Sequence, residues 1–203
     1  FCQGLADDFN RHGYTVQSIR IVTNAFAEYI NTTSLELAQH DLRKLNSILN
    51  RYKANPLRLR FAIGEAKTAH ELSLIPELIK EFGDLCNVCV NIPADDNYLL
   101  DNQLIDQAAL TVQKISQITP RGEGNFNFTV NFNCKPQIPY FPASYSNSHC
   151  NNSFVIGLET PDLLVASLQS FNKLNPDIEH SMAFEGYFQT LSQQLQSHIN
   201  QLK

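Results

Sequence analysis

Four segments of this chain alternate between apolar and polar side chains, and that alternation restricts the fold more than any other feature of the sequence. In 16–23, Ile19 and Ile21 oppose Ser18 and Arg20. In 57–63, Leu57, Leu59, Phe61 and Ile63 oppose Arg58, Arg60 and Ala62. In 86–92, Val88, Val90 and Ile92 oppose Asn87, Cys89 and Asn91. The longest is 125–134, where Phe126, Phe128, Val130, Phe132 and Cys134 oppose Asn125, Asn127, Thr129, Asn131 and Asn133. Successive side chains of a strand point to opposite faces, so each segment reads as a strand with one apolar and one polar side. A slip of one residue would exchange the faces, which fixes the register.

Helical patterns separate these strands. Leu35, Ala38, Leu42, Leu45, Leu49 and Tyr52 fall three or four apart in 34–52, with Thr33 and Glu36 at capping-box spacing and Pro56 just beyond. Thr68 and Glu71 repeat that spacing before a helix carrying Leu72, Ile75, Ile79 and Phe82, which Pro76 is expected to kink or restart. A third helix, 99–118, places Leu100, Leu104, Ala108, Val112 and Ile115 on one stripe. Gly122 and Gly124 mark a turn before the fourth strand. After that strand come a loop rich in proline and aromatics (135–152), a short fifth strand (154–158), and two helices begun at Thr160-Pro161 and Asn175-Pro176. Strands separated by helices of this length imply right-handed βαβ units and a mainly parallel sheet. One α/β domain over 1–203 is expected. The chain opens without Met, on what reads as the end of a helix, and closes on a helical pattern without a cap, so it is expected to be a portion of a longer chain.

Strands covered by helices on both faces read as continuous apolar runs, and these do not. Either the polar faces meet water in a two-layer sandwich, or they line a barrel lumen or cleft. Buried polar groups need partners, which a polar ligand could supply. Arg20, Arg58 and Arg60 would then share one space. Guanidinium groups pair bidentately with carboxylate or phosphate, so a small anionic metabolite is the expected ligand. The plain alternative is three surface arginines paired with Asp or Glu.

Composition narrows the function classes. A net charge of −5 and a pI near 5.6 argue against a basic footprint for nucleic acid. No apolar run approaches the ~18 residues of a membrane span. Five cysteines without regular spacing read as reduced thiols of a cytoplasmic protein, and the sequons at Asn31, Asn127 and Asn151 as chance matches. Cys86-x-x-Cys89 lies within a strand, which sends its sulfurs to opposite faces, whereas a redox motif needs its first cysteine at a helix N-terminus. His149-Cys150 is the remaining cluster of ligand type, so no residue is assigned to a metal. Gly64-Glu65 and Asp95-Asp96 follow strands, at the carboxyl ends where α/β proteins bind ligands. Adjacent loop acids such as Asp95 and Asp96 read either as Mg²⁺ ligands or as solvated charges.

Several motifs, in order, resemble one family. Val16-Gln17-Ser18-Ile19-Arg20-Ile21 is similar to a "VQTVRL" strand near the start of one branch of the domain of unknown function 711 (UPF0210) family. Gly124-Asn125-Phe126, the segment from Pro139 to Tyr145 (P-Y-F-P-A-S-Y) and the segment from Phe154 to Glu159 (F-V-I-G-L-E) resemble its later motifs. The likeness extends to about Gln169 and departs at Gln137-Ile138, where the family has glycine, and at Ser146, where it often has histidine. It implies a fold similar to the α/β barrels of pyruvate formate-lyase-like glycyl-radical enzymes, with this chain as part of a barrel. No radical loop of the Arg-Val-x-Gly-Tyr kind occurs, so radical chemistry does not carry over.

The expected site therefore holds an anion on Arg20, Arg58 and Arg60 and orients it with Asn131 and Asn133. Glu159 is the expected general base where chemistry follows binding, with Tyr145 as the second catalytic candidate. The competing expectation is a non-catalytic structural or interaction domain, for example a homo-oligomer whose polar sheet faces meet.

Overall fold

In the computed structural model, the four alternating segments form one parallel sheet in the order β1-β2-β3-β4, comprising Ser18–Val22, Arg58–Ala66, Asn87–Ile92 and Phe128–Phe132. The structure describes residues 1–52, 58–149, 153–176 and 180–201. Pro56, Leu57, Cys150, Asn151 and the side chain of Arg58 lie outside the described residues. Two compact units are present, Phe1–Ser153 and Phe154–Lys203.

In the first unit, α1 (Cys2–Arg11) precedes β1, and α2 (Leu35–Tyr52), α3 (Ala69–Phe82) and α4 (Asn102–Ile118) each bridge consecutive strands. Sequential parallel neighbours joined by right-handed crossovers place the bridging helices on one face. The core agrees. Ala38 and Leu42 of α2, Leu72, Ile75 and Leu78 of α3, and Leu104, Ala108 and Ile115 of α4 form one cluster with Phe61, Ile63, Val88, Val90, Ile92 and Phe128. Each fully buried side chain of this size contributes roughly 1.5–3 kcal/mol. A hydrogen bond on the other face contributes about 0.5–1.5 kcal/mol net, so the fold is held mainly from the helix side.

The local signals behave as their chemistry dictates, with small displacements. Ser34, not Thr33, caps α2, its Oγ accepting from the Leu37 amide at 3.4 Å. Thr68 caps α3 as expected, accepting from the Glu71 amide at 3.2 Å, while the Glu71 carboxylate reaches back to the Lys67 amide at 2.7 Å. α3 runs through Pro76 without restarting. α4 begins later than expected because Asp101 caps it, accepting from the Leu104 amide, and its buried stripe passes through Thr111 rather than Val112. β4 is shorter than the alternation implied. Arg121 and Gly122 take left-handed backbone and Pro120–Asn127 coils as short 3-10 turns, which leaves Asn125 and Phe126 outside the strand.

The second unit pairs α5 (Pro161–Leu174) with α6 (His180–Gln201). Phe171 is buried, stacks edge-on against Tyr187 at 6.5 Å, and closes over Gly186, where a Cβ would lie 2.9 Å from its ring. The fifth strand expected at 154–158 does not form. These residues have no regular structure, and Phe154, Val155, Ile156 and Leu158 are exposed. A strand requires a ladder partner for its backbone, and apolar, β-branched composition supplies none.

Candidate functional site

The polar face of the sheet is partly roofed by the proline-aromatic segment. Beyond β4, Asn133 takes left-handed backbone at φ 50° and its amide donates to the Ile92 carbonyl at 2.9 Å, turning the chain back over the sheet. Asparagine tolerates this conformation better than most side chains. Asn91 then clamps the turn: its Oδ1 accepts from the Cys134 amide at 3.0 Å and its Nδ2 donates to the Cys134 carbonyl at 3.0 Å. Tyr145 donates its hydroxyl to the same carbonyl at 2.8 Å. Asn131, 5 % exposed, donates its amide to the Ala143 carbonyl at 2.9 Å. At the far end the Ser146 amide meets the Thr23 carbonyl, beyond β1, at 3.0 Å. Much of the asparagine pattern thus finds its partners within the chain.

Phe141, at the start of a 3-10 turn in this segment, is buried under two guanidinium groups. The Arg20 and Arg60 Cζ atoms each lie 5.5 Å from its ring centroid, within cation–π range. The two arginines differ otherwise. Arg60 donates to Asn87 Oδ1 at 3.2 Å and Asn127 Oδ1 at 3.3 Å, and its Nε lies 3.3 Å from Asp84 Oδ1 as an ion pair without hydrogen-bond alignment. Arg20 is exposed, bonds to Ser18 Oγ at 3.2 Å, and has no carboxylate partner among the described residues. Arg60 also borders a cleft of about 400 Å³ with Lys80, Asp84, Thr119, Glu123 and Asn127. That cleft lies toward the amino ends of the strands, away from the end where α/β proteins bind ligands.

At the carboxyl end, β2 contains an irregularity that reverses its faces. Ala62 pairs with Asn87 but Gly64 pairs with Val88, so one residue is bulged out. The bulged carbonyls are each met: Ala62 by the Thr23 amide and hydroxyl, Ile63 by the Tyr29 hydroxyl at 3.2 Å, and Gly64 by the Cys89 thiol at 3.7 Å. The Tyr29 hydroxyl, turned in toward Thr23 and the Ile63 carbonyl although the residue as a whole is 43 % exposed, is raised above its ordinary range by desolvation, against the lowering effect of its Thr23 hydrogen bond. Beyond the bulge Ala66 joins the core and Glu65 pairs with Cys89 on the polar face.

Glu65 is half-buried and makes no hydrogen bond or ion pair among the described residues. Burial raises its pKa, opposed by the Lys67 charge and assisted by that of Glu71. Burial, and then the Glu65 charge, push Cys89 up to about 12, and the same two causes push Tyr145 to about 12, so both keep their protons at neutral pH. Cys86 lies on the core side, where burial raises its thiol further. Cys86 lies in the turn just before β3 rather than within the strand as expected, and the two cysteines nevertheless serve opposite faces.

Of the expected site residues, Arg20, Arg60, Asn131 and Tyr145 come together around the proline-aromatic segment. Asn133 forms its corner. The Arg58 backbone pairs with Ser18, and its side chain is outside the described residues. Glu159 is an exposed residue of the second unit, just before α5. Asp95 is a turn residue, its Oδ1 accepting from the Asn97 and Leu99 amides. Among the described residues no group of three or more His, Cys, Asp or Glu is placed to hold a metal ion, and no helix is long and apolar enough to cross a membrane. Gly64-Glu65, expected just after a strand, lies inside β2, and the alternation gave no sign of the bulge that aims Glu65.

A four-stranded parallel sheet whose strands alternate with helices, with an asparagine-lined, loop-covered face opposite the core, defines an α/β protein. The chain belongs to the family described as uncharacterised ACR (DUF711), whose model it matches over residues 1–203. Comparison with curated proteins and with solved structures found no match.

Proposed function

We propose that this chain binds a small polar, anionic metabolite on the polar face of its sheet, with Arg20 as the anchor. One observation carries the reading: a guanidinium oriented over Phe141, on a face lined by amides, with no carboxylate to neutralise it among the described residues. Arg60, held by Asp84, Asn87 and Asn127, supplies positive background and fixes Phe141. In this reading the sheet is part of a larger α/β barrel of the pyruvate formate-lyase-like kind, with the polar face turned to the lumen. The unbroken β1-to-β4 order, with the bridging helices packed on one side, supports that extension. The free thiols of Cys2, Cys86, Cys89 and Cys134 support a cytoplasmic location.

A second reading rests on a different observation. Asn91, Asn131 and Tyr145 spend their hydrogen bonds on the chain's own loop, which is what a non-catalytic structural or interaction domain requires. Thermal unfolding against a panel of small carboxylates and phosphates separates the two. At a hundred times its Kd a ligand stabilises by about 2.7 kcal/mol, and Arg20→Gln abolishes that gain if Arg20 is the anchor. A wild type indifferent to every anion removes the anion reading and leaves the structural one, and an Arg20→Gln variant that is stabilised as the wild type is removes Arg20 as the anchor.

A further inference from the structure

The second unit carries an apolar surface that its own two helices do not cover. α5 meets α6 through Ser167, which bonds to Gln194, and through Phe171, which packs on Gly186 and Tyr187. Leu164, Val165 and Leu168 fall on the neighbouring side of α5, at helical spacing, and are 37, 55 and 45 % exposed. Among the unit's described side chains only Ser167, Phe171 and Leu191 are buried. A helix whose apolar arc is wider than one neighbour can cover buries the rest against another helix. Charge indicates which helix that is. α5 holds two charged residues, Asp162 in its first turn and Lys173 in its last, and neither has an ion-pair partner among the described residues. They lie about three turns apart, so they share one side of the helix, beside the apolar stripe. When two copies of α5 run antiparallel about a two-fold axis midway between these residues, Asp162 of each copy comes opposite Lys173 of the other. That axis falls beside Leu168, which then meets its own counterpart, with Leu164 and Val165 flanking it. A parallel pair would instead set the two acidic ends together and the two basic ends together.

We propose that the exposed stripe of α5 docks on the same stripe of a second copy of this chain, the two α5–α6 pairs forming an antiparallel four-helix bundle. The contact is isologous, so the Asp162–Lys173 pair occurs twice, once at each end. Leu164, Val165 and Leu168 supply the apolar burial that holds the copies together. The ion pairs lie at the rim, where they set direction and register more than affinity. None of these residues belongs to the sheet, so the proposal does not depend on the anion reading.

Sedimentation equilibrium of the whole chain over a wide range of concentration tests this. The wild type is expected to reach twice its chain mass of 22.9 kDa. Leu168→Glu puts two charges beside the axis and is expected to stay monomeric. Leu168 is 45 % exposed in the single chain, so the variant should keep the fold, which an unchanged helical circular dichroism spectrum checks. Asp162→Lys and Lys173→Asp each set like charges opposite one another at both ends, and each is expected to weaken the dimer on the order of tenfold. Mixed in equal amounts, these two variants are expected to pair with each other at close to wild-type affinity, because the mixed dimer again sets a lysine opposite an aspartate at both ends. A wild type that keeps the mass of one chain at every concentration overturns the proposal, and so does a dimer that persists in Leu168→Glu. Charge variants that dimerise as the wild type does, or a mixture no tighter than its components, overturn the antiparallel pairing and the proposal with it.

Discussion

Gly64 passes so close to Asn24 that a methyl group on it would lie 2.1 Å from the Asn24 carbonyl oxygen and 2.8 Å from that of Thr23. The contact joins the end of β1 to the bulge in β2, and it decides which way Glu65 points. Gly64→Ala must relieve both the clash with rigid backbone and a φ of +86°. Left-handed strain alone costs on the order of 1–3 kcal/mol. A loss of at least about 2 kcal/mol is expected in urea unfolding, with the slope unchanged. A variant within about 0.5 kcal/mol of the wild type would show that the bulge yields easily.

Asn131 tests how the covering segment is held. Its amide, buried against the Ala143 carbonyl, is replaced by nothing in Asn131→Ala, and leaving a buried acceptor unsatisfied costs about 1–3 kcal/mol. The loss should be local. Limited proteolysis is expected to cut within 135–146 several times faster than in the wild type, while the helix-side core stays protected. Equal cleavage rates would mean that Asn91, Tyr145 and Ser146 hold the segment without it.

Arg20 and Arg60 share one ring but not one role. Arg60→Met removes the donor to Asn87 and Asn127 and the Arg60 side of the ion pair with Asp84, and removing one member of a part-buried network of this kind destabilises by about 2–4 kcal/mol. Arg20→Met loses an exposed cation–π contact worth about 0.5–1 kcal/mol. Thermal unfolding should therefore rank Arg60→Met well below Arg20→Met, and a reversed order would contradict the network described around Arg60.

The alternation of side chains made the sheet legible because a period of two has one physical cause, and four strands appear where it was found. Its ends were not legible. Asn133 continues the alternation in sequence but leaves β4 through left-handed backbone, and Asn125 sends its amide to the Val112 carbonyl instead of lying in a strand. Phe154, Val155 and Ile156 have strand composition but form no strand among the described residues. The proposed anion site was suggested by a set of arginines whose parity in the sequence assigns them to one face. Which arginine would be neutralised depended on Asp84, whose contact with Arg60 is a tertiary fact that no spacing encodes. Glu65 was hidden for a sharper reason. A bulge reverses parity, so Ile63 and Ala66, three residues apart, both reach the core and Glu65 turns to the polar side. The cue available in the sequence was the glycine before it.

The same residue gives a stability signature independent of any ligand. Burial raises the Glu65 pKa in the folded chain above its unfolded value. Below the ordinary carboxylate range both states hold the proton, and Glu65 contributes no penalty. As pH rises from that range through the folded pKa, the unfolded chain releases its proton more readily, so ionisation favours unfolding and the folded state loses stability. Glutamine cannot ionise, so the difference in unfolding free energy, Glu65→Gln minus wild type, should grow as pH rises through this window and then level off. Denaturation midpoints of the two proteins taken at intervals from pH 4 to 8 measure it. A difference that is flat, or that shrinks with rising pH, would mean that Glu65 is solvated or paired in the folded protein, and its place at the carboxyl end of the sheet would then carry no charge-dependent role.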